Sequence, residues 1–132
     1  MMISIETAPP FSLVFVMDPV SGELPHTLGP GPVTVGESSV AVGTMAESDG
    51  PTRLFLGDGE LPPVDGLELR WEGWLVTSGR IAFVSAEDEV LIERRAGGCV
   101  HLEVWSNDES EPDAVCVLIT EPMEDAQGEP VP

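Results

Sequence analysis

The chain of 132 residues carries 24 acidic side chains against five basic ones, a formal net charge of −19. Such a charge repels nucleic acid and anionic membranes and attracts basic surfaces. All five basic residues are arginines, and the absence of lysine excludes both a Walker-type phosphate loop and a Schiff-base enzyme. A hydrophobic fraction of 42% argues against disorder and predicts a folded domain.

Short runs of β-branched and aromatic residues, separated by Gly, Pro, Asp and Ser, predict strands along the whole chain. We predict them at residues 3–7, 11–17, 33–35, 39–44, 52–56, 67–77, 80–85, 90–95, 99–106 and 114–120. No window sustains the helical i, i+3, i+4, i+7 pattern over three turns. The sequence therefore predicts an all-β fold, a two-sheet and mostly antiparallel β-sandwich with little or no helix.

The length predicts one β-sandwich domain over residues 1–122, with a flexible acidic tail at 123–132. The first basic residue is Arg53, so the N-terminus lacks the basic region of a secretory signal. No apolar stretch approaches the roughly 20 residues of a membrane span. Two cysteines do not make a disulfide framework. We therefore expect a cytoplasmic protein with reduced thiols and no membrane partner.

Two acidic segments flank a predicted hairpin near the end of the chain. The turn at 96–98 predicts antiparallel pairing of strands 90–95 and 99–106, which places the start of one beside the end of the other. Carboxylates from both segments should then meet at one end of the sheet, with Arg94 and Arg95 at the opposite end. The candidate partner-binding residues are Glu87, Asp88, Glu89, Asp108, Glu109, Glu111 and Asp113. Two separately solvated acidic loops are the alternative.

The density of that cluster exceeds what composition alone produces. A folded chain of this mass exposes roughly 6,700 Å², and a standard interface takes about 800 Å² from each partner. An even spread of 24 acids would place only about three in such a patch.

Residues with catalytic or metal-binding chemistry are few. His26 lies in a loop rich in Pro and Gly, and Cys99, His101 and Glu103 share one face of a predicted strand. No second Cys/His pair has zinc spacing, so an ordinary sheet face is favoured over a metal or thiol site. Residues 107–113 resemble a calcium loop in acidity but lack the glycine of an EF-hand. We expect no metal site, no cofactor and no enzymatic activity.

Trp71, Trp74 and Trp105 are the residues suited to stacking on a sugar or a base. In a small sandwich such tryptophans are more often part of the core or its rim. Binding of nucleic acid is also opposed by the charge, because no basic patch survives beside these acids.

The clearest family resemblance lies in four segments: residues 11–18, 40–44, 71–80 with the Ser78-Gly79 turn, and 100–105. In strand order, length and acidity, residues 3–120 resemble the competence protein J family, small bacterial inhibitors of a DNA-entry nuclease, and related small acidic actinobacterial β-sandwich proteins. The resemblance implies a β-sandwich and an inhibitor that blocks a basic protein. The resemblance lies in the pattern of the sequence, and it assigns no functional residue to this chain.

These observations favour a non-catalytic acidic binding protein, an inhibitor or immunity-type factor for a basic protein such as a nuclease or toxin. One alternative is a β-sandwich module that binds carbohydrate or a small ligand through the tryptophans and carboxylates. Another is an acidic structural protein without a dedicated partner. An enzyme is the least favoured class.

Overall fold

The structure, a computed structural model, describes residues 2–25, 31 and 33–121, with the side chain of Glu121 left out. His26 and the predicted tail at 123–132 lie outside the described residues. The predicted domain boundary at residue 122 therefore stays a prediction.

Ten strands make up the described part of the chain, together with short 3₁₀ turns at Pro10–Ser12 and Glu47–Asp49. The strands are β1 (Met2–Thr7), β2 (Leu13–Met17), β3 (Val33–Val35), β4 (Ser39–Gly43), β5 (Thr52–Gly57), β6 (Glu68–Val76), β7 (Arg80–Ser85), β8 (Val90–Arg95), β9 (Cys99–Ser106) and β10 (Ala114–Glu121). No α-helix occurs within residues 2–25 and 33–121. The prediction of an all-β fold is confirmed.

The strands form two five-stranded sheets. Sheet I has the order β1-β5-β10-β9-β6, and sheet II has the order β3-β4-β2-β7-β8. Every neighbouring pair is antiparallel except β5 and β10, which run parallel. The prediction of two mostly antiparallel sheets is therefore confirmed as well.

Alternating apolar side chains from both sheets build one core between them, as the period-two pattern of each strand predicts. Sheet I contributes Leu54, Leu56, Leu75, Val100, Leu102, Val104, Val115, Val117 and Ile119, and sheet II contributes Val14, Val16, Val40, Val42, Ile81 and Phe83. Each fully buried side chain of this size stabilises the fold by about 1.5–3 kcal/mol.

Strand β2 begins later than predicted. Residues 11–17 alternate throughout, but Phe11 and Ser12 have positive φ angles of 62° and 56° and lie in a 3₁₀ turn after Pro10. The Phe11 side chain is 74% exposed and is therefore not part of the core. Pattern alone could not separate this turn residue from the strand that follows.

Candidate functional site: an acidic end of the sandwich

Three acidic connections leave their strands at the same end of the sandwich. The β4–β5 connection meets the β9–β10 loop, where the Met45 amide donates to the Pro112 carbonyl at 2.9 Å. The β7–β8 turn starts after Ser85, whose register partner is Val14 at the beginning of β2. Because Leu13 pairs with Gly43, that turn lies at the end where β4 finishes.

The predicted hairpin of residues 90–95 and 99–106 is wrong. Strand β8 pairs with β7 in sheet II, whereas β9 pairs with β6 and β10 in sheet I. The segment between them crosses from one sheet to the other: the Ala96 amide donates to the Gly79 carbonyl, and the Gly98 carbonyl accepts from Thr77, both at 2.9 Å. After the crossing, β9 buries Val100, Leu102 and Val104 in the core, while Leu91 and Ile92 of β8, both partly buried, pack against that core from sheet II.

This crossing still reverses the chain direction, so the two predicted acidic segments emerge at the same end although they belong to different sheets. In sheet II, β7 lies two strand spacings, about 10 Å, from β4. The chain after β4 contacts the β9–β10 loop through Met45 and Pro112. The segments are therefore neighbours across the end of the sandwich, not along one strand pair. That they bind a partner together stays a prediction.

Sequence reasoning missed further acidic residues at this end, among them Glu47 and Asp49. Glu47 and Asp49 are exposed in the 3₁₀ turn that follows Met45, beside the β9–β10 loop. Their position at this end follows only from the tertiary contact between Met45 and Pro112, which no sequence pattern predicts. We call the following set of exposed residues the acidic end: Glu47, Asp49, Glu87, Asp88, Glu89, Asp108, Glu109, Glu111 and Asp113.

Within the β9–β10 loop, two carboxylates shape the backbone. Asp108 Oδ2 accepts from the Glu111 amide at 2.8 Å and from the Ser110 amide at 3.0 Å. These hydrogen bonds, with the Glu111 amide first, hold the pKa of Asp108 below its usual value. Asp113 Oδ1 accepts from Asn107 Nδ2 at 2.6 Å. Asp108 and Asp113 thus fix the loop that presents Glu109 and Glu111 to solvent.

The β7–β8 turn is built on Ser85 in a similar way. Ser85 Oγ accepts from the amides of Glu87 at 3.1 Å and Glu89 at 3.2 Å. Asp88 occupies the left-handed region with φ 66°, which Asp tolerates better than most residues. The turn therefore displays the side chains of Glu87 and Glu89 outward.

No arginine in the described part of the chain forms an ion pair with the outward glutamates of the acidic end. Among the described residues, the glutamates 87, 89, 109 and 111 take part in no ion pair. Arg80 and Arg95 are register partners at the opposite end of sheet II, where Arg94 lies 3.5 Å from Asp58. Arg70 is turned towards β9, where its Nε donates to Ser106 Oγ at 2.9 Å. Arg53, whose amide donates to the Asp113 carbonyl at 2.9 Å, and Arg70, whose charge adds to the hydrogen bonds from Glu111 and Ser110 in lowering the pKa of Asp108, lie at the acidic end. Arg80, Arg94 and Arg95 lie at the opposite end.

The predicted Cys-His-Glu face lies on the outer surface of β9. His101 Nδ1 is 2.6 Å from Thr120 Oγ1, and its ring packs edge-on against Trp74 with centroids 5.1 Å apart. Glu103 accepts from Trp105 Nε1 at 3.0 Å. Across the described part of the chain, no group of three His, Cys, Asp or Glu side chains is arranged to hold a metal ion. His101 and Glu103 instead contact the neighbouring side chains Thr120, Trp74 and Trp105 on the sheet face.

The tryptophans are divided between the two faces of sheet I, with Trp71 on the inner face and Trp74 and Trp105 on the outer one. Trp71 packs against the core, Trp105 is half-buried, and Trp74 is 55% exposed on the outer face of β6. A cleft of about 330 Å³ on the same sheet is lined by Ser4, Ile5, Glu6, Arg53 and Phe55. It lies on β1 and β5, three or more strands away from Trp74. This separation gives little support to a carbohydrate module built on the tryptophans.

The two cysteines differ in accessibility, and we expect them to differ in reactivity. Both are free, with Cys99 exposed and Cys116 buried. Burial, together with the charge of Glu103, raises the pKa of Cys116 to about 12. Titration of the native protein with a thiol reagent should count one reactive thiol, and titration after denaturation should count two. Two rapidly reacting thiols in the native protein would contradict the placement of Cys116 inside sheet I.

None of the helical segments in the described ranges has the length and apolarity that a membrane crossing requires. Comparisons of the chain with protein-family models, curated proteins and solved structures found no match. The resemblance to the competence protein J family therefore stays a prediction.

Proposed function

We propose that the protein is a non-catalytic binding protein whose acidic end captures a basic surface of another protein, as an inhibitor or immunity-type factor does. The observation that supports this most is the acidic end itself, with exposed carboxylates from three connections and, among the described residues, no arginine paired to any of its five glutamates. Their number is well above the about three expected for an interface-sized patch at even spread.

The repulsion among the carboxylates of the acidic end favours a role in binding a partner over a role in stabilising the fold. Like charges held together repel one another and destabilise the compact state, unless an external cation compensates them. Their field extends over a screening length of about 8 Å at physiological salt, so it acts mainly on the approach of a partner. Complementary fields of this kind raise association rates more than they raise affinity.

A nuclease is the partner class that fits best. Proteins that bind nucleic acid carry basic surfaces, because DNA presents a phosphate charge about every 1.7 Å of its axis. An array of carboxylates on a rigid scaffold would compete for such a surface. The same charge opposes direct binding of nucleic acid or an anionic membrane by this protein. A cytoplasmic location, where such a factor would protect the cell, belongs to the same proposal.

A pair of variants with equal charge change tests the proposal. In the first, Glu87, Glu109 and Glu111 are changed to Gln at the acidic end. In the second, three exposed glutamates near the opposite end, Glu23, Glu37 and Glu60, are changed to Gln. Wild type and both variants are immobilised and used to capture proteins from the native host at low salt, with elution by a salt gradient.

We expect a basic protein that the wild type and the second variant retain and the first variant releases at lower salt. Equal retention by all three would mean general ion exchange and would contradict the proposal.

A further inference from the structure

Strand β6 is the longest edge strand of the sandwich. It runs over nine residues, Glu68–Val76, and pairs with β9 on one side only. No other described strand pairs with its outer side. The other edge strands are shorter: β1 and β8 have six residues each, and β3 has three. Exposed edges are normally kept short, bulged or charged, or carry proline. Strand β6 has charged residues and a bulge in its first half, but its second half, residues 73–76, has no charge, proline or bulge.

The register shows which backbone groups of β6 are open. The Thr77 amide donates to the Gly98 carbonyl, so Thr77 points towards β9. Backbone groups alternate sides along a strand, so the amides and carbonyls of Glu72, Trp74 and Val76 point away from β9. A bulge between Leu69 and Trp71 ends this regular stretch. Three residues thus present an unused ladder of hydrogen-bonding groups.

Exposed apolar side chains coincide with this open ladder. Trp74 is 55% exposed and Val76 is 65% exposed, both on the outer face of sheet I. Leu69, at the bulge on the same strand, is 41% exposed. Large apolar side chains that collect along one open edge are typical of an interaction site.

The charge around β6 indicates what kind of segment would bind at its open edge. The strand starts beside the acidic end, because Glu68 pairs with Ser106 immediately before the β9–β10 loop. Glu72 lies on its outer face, next to Trp74. A second copy of the chain would bring another net charge of −19 against this surface, whereas a basic segment would be attracted to it.

We infer that β6 accepts an extended segment of the basic partner as an added antiparallel strand. Apolar side chains of that segment lie beside Val76 and Trp74, and an arginine or lysine lies beside Glu72. The C-terminal end of the segment then reaches the acidic end. The inference rests on the proposed function and specifies how the partner docks.

The probe for this inference is a capped peptide of sequence Val-Thr-Val-Thr-Arg-Thr-Arg. Paired antiparallel to β6, its two valines lie opposite Val76 and Trp74, and its first arginine lies opposite Glu72. A second form carries N-methyl groups on those three residues, which removes the amides that face β6. A third form carries them on the threonines, whose amides face solvent. Fluorescence anisotropy at low ionic strength measures the affinity of each form.

We expect the unmodified and threonine-methylated peptides to bind similarly, and the form methylated towards β6 to bind at least about tenfold more weakly, because three backbone hydrogen bonds are lost. Val76→Pro removes one outward amide of the protein without breaking a bond to β9, and should also weaken binding. Val76→Thr, which keeps the amide, is its matched control. Circular dichroism checks that both variants are folded.

Equal affinity of the two methylated forms would overturn the inference and leave the acidic end untouched. Retention of the captured partner by the variant with Glu87, Glu109 and Glu111 replaced, up to the same salt concentration as wild type, would instead count against the proposed function. A wild-type dimer that Val76→Pro dissociates in sedimentation would assign the edge to a second copy and would also overturn the inference.

Discussion

Replacing Asp18 with asparagine should lower the free energy of unfolding by about 2–3 kcal/mol. Asp18 is fully buried, and its Oδ1 accepts from the amides of Val20 at 2.7 Å and Ser21 at 3.1 Å. Its Oδ2 accepts from the Ser78 amide in the β6–β7 connection. Asparagine has the same shape but must turn an NH₂ group towards one of these amides, which leaves a buried donor without an acceptor.

The same residue should make stability depend on pH. Burial raises the pKa of Asp18, but the hydrogen bonds from Ser78, Val20 and Ser21 outweigh it and lower the pKa from 3.8 to about 2. A lowered pKa stabilises the fold above the unfolded value of 3.8, and that contribution is lost as pH falls towards 2. The loss amounts to about 2 kcal/mol.

Urea denaturation at pH 6 and near pH 2 measures both effects. The variant Asp18→Asn should lack this part of the acid dependence, while Asp65→Asn, a change at an exposed site, should behave as the wild type does. An unfolding free energy for Asp18→Asn within about 0.5 kcal/mol of wild type at pH 6 would contradict the role of the buried carboxylate.

Neutralising the acidic end should slow association with the captured partner by about tenfold at low ionic strength. The variant has Glu87, Glu109 and Glu111 changed to Gln. All three side chains are exposed, so folding should be unaffected. The dependence of the association rate on salt should flatten, because fewer charges steer the approach.

Stopped-flow measurements over a salt series give these rates. The matched variant with Glu23, Glu37 and Glu60 replaced has the same net charge and should associate at a rate close to that of wild type. Equal slowing by the two variants would show that net charge, and not the acidic end, steers the partner.

The sequence was sufficient to predict where the strands lie, but not to predict which strands pair with each other. Alternation in a segment such as 99–106 marks a strand with one buried face, since Val100, Leu102 and Val104 recur at every second position. A Gly-Gly connection has the same sequence character whether the next strand pairs with the previous one or crosses to the other sheet. The hairpin error at 96–98 arose from that ambiguity, because tertiary packing decides between the two outcomes.

The candidate site was predictable in part for a related reason. A sharp reversal at 96–98 brings the loops at 86–89 and 107–113 to the same end whether or not the flanking strands pair. Glu47 and Asp49 depend on a contact between Met45 and Pro112, which are far apart in sequence, and no local pattern encodes that contact. The parallel pairing of β5 with β10 is equally non-local.

Carboxyl footprinting of the complex tests the central claim most directly. A carbodiimide couples a small amine to accessible Asp and Glu side chains, and mass spectrometry reads the extent of labelling at each residue with and without the captured partner. We expect Glu87, Glu109 and Glu111 to lose labelling in the complex, while Glu23, Glu37 and Glu60 keep theirs. Protection confined to the second group, with the acidic end still fully labelled in the complex, would contradict that claim.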